Sequence, residues 1–328
     1  MTRKIMAMTM TDTMDGNNSP VNDSQNLRRR YYSFQELIET IKQTDTQSSD
    51  FEFIAFTPIG RRFKDIKKYY LCHSISDLSL LEPSISDRYS GALRRICEIG
   101  LKPFDISTRT EDGSRVYLRM MFSVSDLACM SDLQIIEEFS ELFHLEGALD
   151  IQKKALHFIK TDRMAAEKSL VQIGVEFDET GVLHSVKSYF VLDADYESDG
   201  RRICRSLDKL DGFAFKMKEQ GCMVPDVSKA TELFGDMFVP HLIGLNYAGG
   251  LCEVKLYGVA ANISAGCSSG GYSQYITDRL TAPECSPLLL ECLISKNLFI
   301  KGLAAAGSIA NNNQYKLYAS TVPKRMKI

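Results

Sequence analysis

Short segments in which apolar and polar residues alternate recur in pairs along the chain, and a turn-forming segment joins the two members of each pair. Alternation with a period of two is typical of β-strands whose two faces meet different surroundings. In one pair the joining residues are Glu111, Asp112 and Gly113, which form a strong hairpin signal. The predicted strand pairs are 51–57 with 66–73, 104–110 with 115–123, 170–177 with 182–192, 241–247 with 252–260, and 299–307 with 314–320.

Segments with helical patterns separate these hairpins. Two of them begin with a capping box, in which Ser33 stands three residues before Glu36 and Ser131 three residues before Gln134. The chain therefore repeats the order helix, helix, strand, strand about five times. The predicted helices cover 33–42, 86–99, 131–147, 148–160, 202–219, 227–238, 272–280 and 287–296.

This repeated order predicts a closed barrel. Short hairpins make neighbouring strands antiparallel, and closing the sheet on itself removes its exposed edges. The predicted fold is therefore of the α+β class, a ten-stranded antiparallel β-barrel that is built from five αα-ββ repeats and ringed by α-helices. A barrel of ten strands is wider than one of eight, so it has room for a ligand chamber.

The second strand of every predicted hairpin carries a cation, one spacer residue and a tyrosine. Residues i and i+2 of a strand face the same side, so closure would bring five cations and five tyrosines into one cavity. An edge strand with an outward lysine and a packed tyrosine would explain any single copy, but the periodic recurrence favours the shared cavity. Such a cavity suits a polyanion attached to an apolar or carbocationic group. The copies are Lys68-Tyr69-Tyr70, Arg115-Val116-Tyr117, Lys187-Ser188-Tyr189, Lys255-Leu256-Tyr257 and Lys316-Leu317-Tyr318.

The composition, with 44% hydrophobic and 25% charged residues, is that of a soluble globular protein. A net charge of −3 argues against general nucleic-acid binding, which favours a basic surface. No apolar stretch reaches the length of a membrane span, so neither nucleic acid nor membrane is an expected partner. Residues 1–30 are polar and contain no signal-peptide core, so we expect a disordered leader followed by a single barrel domain over 31–328.

Cysteine and histidine spacing indicates no metal site. The nine cysteines include no Cys-x-x-Cys pair, and the five histidines form no His-Glu-x-x-His pattern. We therefore expect reduced, packed thiols in a cytoplasmic protein.

In unit order, unit number and hairpin chemistry, residues 33–320 resemble the soluble ABBA prenyltransferases, in which α-β-β-α repeats surround a ten-stranded barrel (the PT barrel). Segments 173–177 and 310–313 are similar to the cyanobactin branch, which prenylates peptides. Segments 178–181 and 186–190 are similar to the branch that prenylates small aromatic molecules.

The resemblance implies an enzyme that moves a dimethylallyl or geranyl group from its diphosphate onto an electron-rich aromatic acceptor such as an indole or phenol. A second interpretation keeps this chemistry but makes the acceptor a Tyr, Trp or other side chain of a cyclic peptide. A third is a barrel without catalytic activity that binds a phosphorylated ligand. Measuring diphosphate release separates the third from the first two.

The resemblance also implies roles for the residues that match the family's strands. Arg115 and Arg119 share one parity in the second hairpin, and Arg119 matches the family's strand better. The residues expected to hold the diphosphate are Lys68, Arg119, Lys187, Lys255 and Lys316. The tyrosines expected to shield the carbocation are Tyr117, Tyr189, Tyr257 and Tyr318.

Glu52, on the first predicted strand, stands where peptide-prenylating relatives keep an acidic residue, so it is the candidate to accept the acceptor's proton. The alternative for Glu52 is a solvent-facing strand position. Asp105 and Glu176, on other first strands, are weaker candidates for the same role.

The chain departs from isoprenoid synthases that use Mg²⁺. Those enzymes carry Asp-Asp-x-x-Asp, whereas the acidic segment 193–199 lacks that spacing and reads as a solvated loop. Some aromatic prenyltransferases have an acidic metal ligand in the first hairpin, but segment 66–69 is basic here. We therefore expect that no cofactor is required and that Mg²⁺, if it acts, is not essential.

Overall fold

The computed structural model describes residues 31–48, 51–71, 87–111, 115–124, 130–178, 181–198, 201–235, 237–260, 269–307 and 313–321. The predicted leader, residues 1–30, lies outside these ranges. In chain order the elements are β1 (Tyr32–Ser33), α1 (Phe34–Gln43), β2 (Phe51–Ile59), β3 (Arg62–Leu71), α2 (Asp87–Glu98), β4 (Lys102–Glu111), β5 (Arg115–Ser123), α3 (Asp132–Phe143), α4 (Glu146–Thr161), β6 (Leu170–Phe177), β7 (Leu183–Val191), β8 (Ala194–Tyr196), β9 (Arg202–Cys204), α5 (Leu210–Glu219), α6 (Val227–Phe234), β10 (Phe238–Ala248), β11 (Leu251–Ala260), α7 (Ser269–Leu280), α8 (Ser286–Ser295), β12 (Leu298–Ala306) and β13 (Gln314–Thr321).

Ten of these strands close into one antiparallel barrel, as the sequence predicts. The strand order around the barrel is β2-β3-β4-β5-β6-β7-β10-β11-β12-β13, and β13 returns to pair with β2. The short β1 extends the sheet where the start of β3 is not covered by β4. The predicted capping boxes are confirmed at Ser33 and Ser131, which begin α1 and α3.

The main hydrophobic core lies between the barrel and its helices. In β6, Phe177 points outward and packs against Tyr89 of α2 and Phe143 of α3, with ring centroids 5.2 and 6.3 Å apart. Glu176, the preceding residue, points into the barrel. The alternation that predicted the strands therefore separates an apolar outer face from a polar lumen.

The segment that the sequence assigns to a helix over 202–219 begins differently. Strands β8 and β9 form a small separate hairpin, and α5 starts only at Leu210. An exposed ion pair between Asp195 and Arg205 holds this hairpin, and strand pairing over 202–204 replaces the first predicted helical turns. Asp195 was expected in a solvated loop; it is partly exposed but lies in β8.

The helices complete the repeat unevenly. In the described part of the chain, one helix precedes each of the first two barrel hairpins, and two helices precede each of the other three. Across these same residues, none of the helices combines the length and the apolar character that crossing a bilayer would demand.

Candidate active site

Two layers of side chains cross the barrel lumen, because the second strands of all hairpins run in the same direction. The cations of the lysine layer stand two residues before the aromatic side chains of the tyrosine layer on the same strand. The lysine layer consists of Lys67, Lys187, Lys255 and Lys316. The tyrosine layer consists of Tyr69, Tyr189, Tyr257 and Tyr318, together with Arg119.

The first hairpin corrects one predicted site residue. Lys68 is paired with Ile54, which belongs to the outer face, whereas its neighbour Lys67 is paired with Ala55 and lines the lumen. Lys67 is only 5% exposed. The expectation that Lys68 faces the lumen is therefore wrong. Two lysines followed by two tyrosines leave the strand's phase open in sequence, and only the pairing with β2 decides it.

The tyrosine layer is a continuous aromatic wall. The ring centroids of Tyr189 and Tyr257 lie 5.4 Å apart, those of Tyr257 and Tyr318 lie 6.0 Å apart, and those of Tyr318 and Tyr69 lie 6.3 Å apart. The Arg119 guanidinium carbon lies 4.6 Å from the Tyr69 ring centroid. Aromatic faces at these distances can stabilise a cation that lies between them. The side chain of Tyr117 lies outside the described residues.

Burial keeps the phenols of Tyr257 and Tyr318 protonated. Desolvation, together with the neighbouring tyrosines, raises the pKa of Tyr257 and of Tyr318 well above the ordinary value. A neutral phenol donates a hydrogen bond and is a weaker nucleophile than a phenolate. The wall can therefore lie beside a carbocation without capturing it.

Gly244, on β10, makes room for two of the rings. A Cβ atom at this position would lie 2.7 Å from Cε2 of Tyr257 and 3.2 Å from Cε1 of Tyr189. Side chains of any other residue type would displace the tyrosine layer, so the glycine is a packing requirement of the wall.

Gly244→Ala is expected to lower the thermal unfolding midpoint, because overpacking a filled interior typically costs about 1–3 kcal/mol. Gly302→Ala is the matched control: a Cβ there meets its nearest atoms at 3.6 Å, an ordinary van der Waals contact. Thermal unfolding of the two variants measures the difference. Equal midpoints would show that the rings of Tyr189 and Tyr257 move aside without cost.

Three carboxylates lie against the lysine layer. Glu176 contacts Nζ of Lys187 at 2.5 Å and Nζ of Lys67 at 3.5 Å. The Lys255–Glu253 ion pair measures 2.8 Å, and the Lys316–Asp65 pair measures 2.7 Å. The sequence analysis missed Asp65 and Glu253 as site residues. The signal was present, since each stands two residues before an inward lysine and therefore shares its face.

Burial and these carboxylates set the protonation of the lysines. Burial lowers the pKa of Lys187 to about 8 in spite of Glu176, and it lowers the pKa of Lys316 well below the usual value. Burial also opposes the charge on Lys255, but the Glu253 carboxylate outweighs it and raises the pKa of Lys255. A polyanion placed among these lysines would favour their charged forms.

Cavities lie on both sides of the lysine layer. On the carboxylate side is a chamber of about 360 Å³, which includes Thr57, His184 and Gln314 in its wall. On the tyrosine side the cavity volume is about 30 Å³. The larger chamber falls in the range of small-molecule sites, roughly 300–1,000 Å³.

The three candidate carboxylates for proton transfer have different positions. Glu52 is partly buried and falls at a register shift of β2 between Phe51 and Phe53; Phe53 stacks on Tyr69 at 4.1 Å, which places Glu52 towards the tyrosine side. Glu176 lies among the lysines, on the opposite side. The side chain of Asp105 lies outside the described residues.

The described residues contain no group of three or more His, Cys, Asp or Glu side chains arranged to hold a metal ion. Asp195, in the acidic segment 193–199, is paired with Arg205 on an exposed hairpin.

No family model matches the sequence, and no curated protein is similar to it in sequence. Solved structures do match. The crystal structure of 5-dimethylallyltryptophan synthase from Streptomyces coelicolor matches with a TM-score of 0.51 and 10% identity, over 89% of this chain and 92% of that one. NotF, in complex with brevianamide F and DMSPP, matches with a TM-score of 0.58 and 8% identity, over 90% and 84%.

A third structure agrees with these two. The 6-dimethylallyltryptophan synthase from Micromonospora olivasterospora, in complex with DMASPP and Trp, matches with a TM-score of 0.52 and 12% identity, over 83% of this chain and 82% of that one. The chain therefore has the PT-barrel fold of the ABBA prenyltransferases, and the resemblance seen in the sequence is confirmed for the fold.

Proposed function

We propose that the protein is a prenyltransferase that moves an allylic group, dimethylallyl or geranyl, from its diphosphate to an electron-rich aromatic acceptor such as an indole or phenol. The observation that carries this proposal is the stacking of a lysine layer on a tyrosine layer inside one closed barrel. The lysine layer suits a diphosphate, and the tyrosine layer suits the allylic cation that forms when the diphosphate leaves.

In the proposed reaction, the bond between the allylic carbon and the diphosphate oxygen breaks, and its electron pair leaves with the diphosphate. Lys67, Lys187, Lys255 and Lys316 stabilise the leaving anion, and the tyrosine layer stabilises the cation. The aromatic acceptor attacks the cation with a π electron pair and forms the new bond. Loss of a proton from the acceptor to a carboxylate, for which we propose Glu52, restores aromaticity.

The structural matches support the same chemistry. They include two proteins named as dimethylallyltryptophan synthases, one of them in complex with DMASPP and Trp. By analogy, we infer that this chain takes a dimethylallyl donor and an indole-type acceptor first among the alternatives. A small aromatic molecule and an aromatic side chain of a cyclic peptide would both use the proposed donor site.

The test is to incubate the protein with dimethylallyl or geranyl diphosphate and to measure diphosphate release and prenylated product. Acceptors should include tryptophan, a simple phenol and an aromatic cyclic peptide, with an assay lacking acceptor as the control. We expect acceptor-dependent release with an indole, and we propose that EDTA changes it little, because protein cations would take the role of a metal. Donor binding without product for any acceptor would favour a barrel that only binds a phosphorylated ligand.

We also infer that the protein works in the cytoplasm. Five of its nine cysteines lie in the described residues as buried free thiols: Cys204, Cys222, Cys252, Cys285 and Cys292. Free thiols are typical of a reducing compartment.

A further inference from the structure

The lysine layer separates the two cavities of the lumen. The large chamber and the small cavity are different spaces, yet five residues line both of them. These residues are Lys67, Lys187, Asn246, Lys255 and Lys316. A ligand that spans both cavities, with its charge among the lysines, must therefore pass through this layer.

Glu176 ties this layer together across the lumen. Its Oε2 atom accepts hydrogen bonds from Lys187 Nζ at 2.5 Å and from Ser185 Oγ at 3.0 Å, both on the neighbouring strand β7. Its Oε1 atom accepts a hydrogen bond from Lys67 Nζ at 3.5 Å, on β3. Because β4 and β5 separate β6 from β3 in the barrel, this second contact crosses the lumen.

Asp65 makes a comparable link. It lies on β3 and accepts a hydrogen bond from Lys316 Nζ on β13 at 2.7 Å, with β2 between the two strands. Both Glu176 and Asp65 are buried, with 2% and 8% of their surface exposed. Together with Glu253 on β11, they bring three carboxylates to the four amino groups of the lysine layer.

These carboxylates contact the same lysine ammonium groups that a diphosphate would contact. A diphosphate among the lysines would lie next to three carboxylates in a poorly solvated space. Negative charges at such short distances destabilise each other. The repulsion decreases if the carboxylates move away as the diphosphate replaces them at the lysines, if the site takes up protons, or if both occur.

We propose that Glu176, Asp65 and Glu253 are internal counter-anions of the lysine layer, and that donor binding exchanges them for the diphosphate with uptake of protons. This inference rests on the proposed function. The three carboxylates would regulate donor binding, whereas Glu52 would accept the proton of the acceptor.

The charges around Lys187 support proton uptake. The groups that act on it are Glu176 on β6, Arg119 on β5 and Lys255 on β11, with Lys67 of β3 on the other oxygen of Glu176. Burial holds the pKa of Lys187 at about 8 in this setting. A diphosphate adds negative charge beside Lys187 and raises its pKa, so the protein binds protons as the ligand enters at a pH near 8.

The first test uses the wild-type protein and dimethylallyl thiolodiphosphate, whose phosphates are nearly fully ionised at about pH 8. Titration calorimetry in two buffers with different ionisation enthalpies gives the number of protons exchanged. We expect net proton uptake at about pH 8, to which Lys187 and Lys316 can both contribute because burial lowers the pKa of each, and a smaller uptake at about pH 6, where Lys187 is protonated before the ligand binds. Binding with no exchange at either pH would overturn the proposal while leaving the proposed function intact.

The second test removes one counter-anion. Glu176→Gln keeps the shape and the hydrogen bond with Ser185 but removes the competing charge, so at about pH 6 we expect roughly tenfold tighter binding of the thiolodiphosphate. Asp65→Asn should act in the same direction, which keeps the proposal testable if one variant folds poorly. Glu137→Gln is the matched control, because Glu137 forms an exposed ion pair with Lys153 on the helices.

The outcomes separate the two proposals. Weaker binding in both folded lumen variants would show that the carboxylates only orient the lysines, and this inference would be wrong. If Glu137→Gln also binds the thiolodiphosphate more tightly, the effect comes from net charge alone, and this inference would again be wrong. Failure of the wild type and both variants to bind the thiolodiphosphate would remove the donor site and the proposed function together.

Discussion

Lys67→Ala is expected to weaken binding of a prenyl diphosphate by about 1.5–3 kcal/mol, the range for hydrogen bonds to charged groups. Lys68→Ala is expected to leave it nearly unchanged. The two lysines are neighbours in sequence, but Lys67 lines the lumen and Lys68 pairs with Ile54 on the outer face. Titration calorimetry with dimethylallyl thiolodiphosphate measures both variants under one condition.

This comparison has a built-in control, because both substitutions remove one positive charge from the same strand. Lys187→Ala and Lys255→Ala should weaken binding over the same range as Lys67→Ala, since their ammonium groups lie in the same layer. A larger loss for Lys68→Ala than for Lys67→Ala would mean that the strand register in solution differs. Unchanged affinity in all four variants would place the diphosphate elsewhere.

Glu52→Gln is expected to reduce turnover by about 10²-fold or more, a typical loss when a general base is removed, while donor binding stays near that of the wild type. The separation of the two effects follows from position. Glu52 lies near the tyrosine layer, beside Phe53, whereas Asp65, Glu176 and Glu253 lie on the opposite side of the lysine layer. Single-turnover measurements with saturating donor, alongside calorimetry, measure the two quantities separately.

Glu98→Gln on the exposed end of α2 is a suitable control for the loss of a carboxylate, because Glu98 pairs only at the surface with Arg95 in the contacts described. If Glu52→Gln instead weakens donor binding and leaves turnover of the bound complex unchanged, the assignment of Glu52 is wrong. Asp105 would then be the next carboxylate to replace. Glu176 is less suited to that role, since both of its oxygens contact lysines or Ser185.

The correction at the first hairpin shows where sequence analysis loses information. A single inward lysine and tyrosine, as at Lys187 and Tyr189, leaves one choice of face, and the structure places both in the lumen. The first hairpin has two adjacent lysines followed by two adjacent tyrosines, so a lysine and a tyrosine would face the lumen in either orientation of the strand. Because a shift of one residue reverses every side chain of a strand, the answer depends on β2, which is outside the local pattern.

The small hairpin of β8 and β9 is a second example. Residues 202–204 were expected to be helical, but they pair with residues 194–196. The residues that pair with 202–204 lie several positions earlier in the chain. The local helical pattern therefore could not show that the helix begins only at Leu210.

The carboxylates of the lumen are an intermediate case. The face of Asp65 and Glu253 could be read from their spacing to Lys67 and Lys255, because strand alternation is a local property. Their partners could not. The Lys316–Asp65 and Lys67–Glu176 contacts join strands that are separated by other strands around the barrel.

The sequence by itself determined the repeated hairpins, the ten-stranded barrel and the cation–tyrosine chemistry of its lumen, because alternation, capping and turn residues act over a few positions. Only the tertiary structure decided which of two adjacent lysines points inward, which acid neutralises which lysine, and that Gly244 opens space for two rings. Those features depend on register and on distances across the lumen, which arise only when the barrel closes.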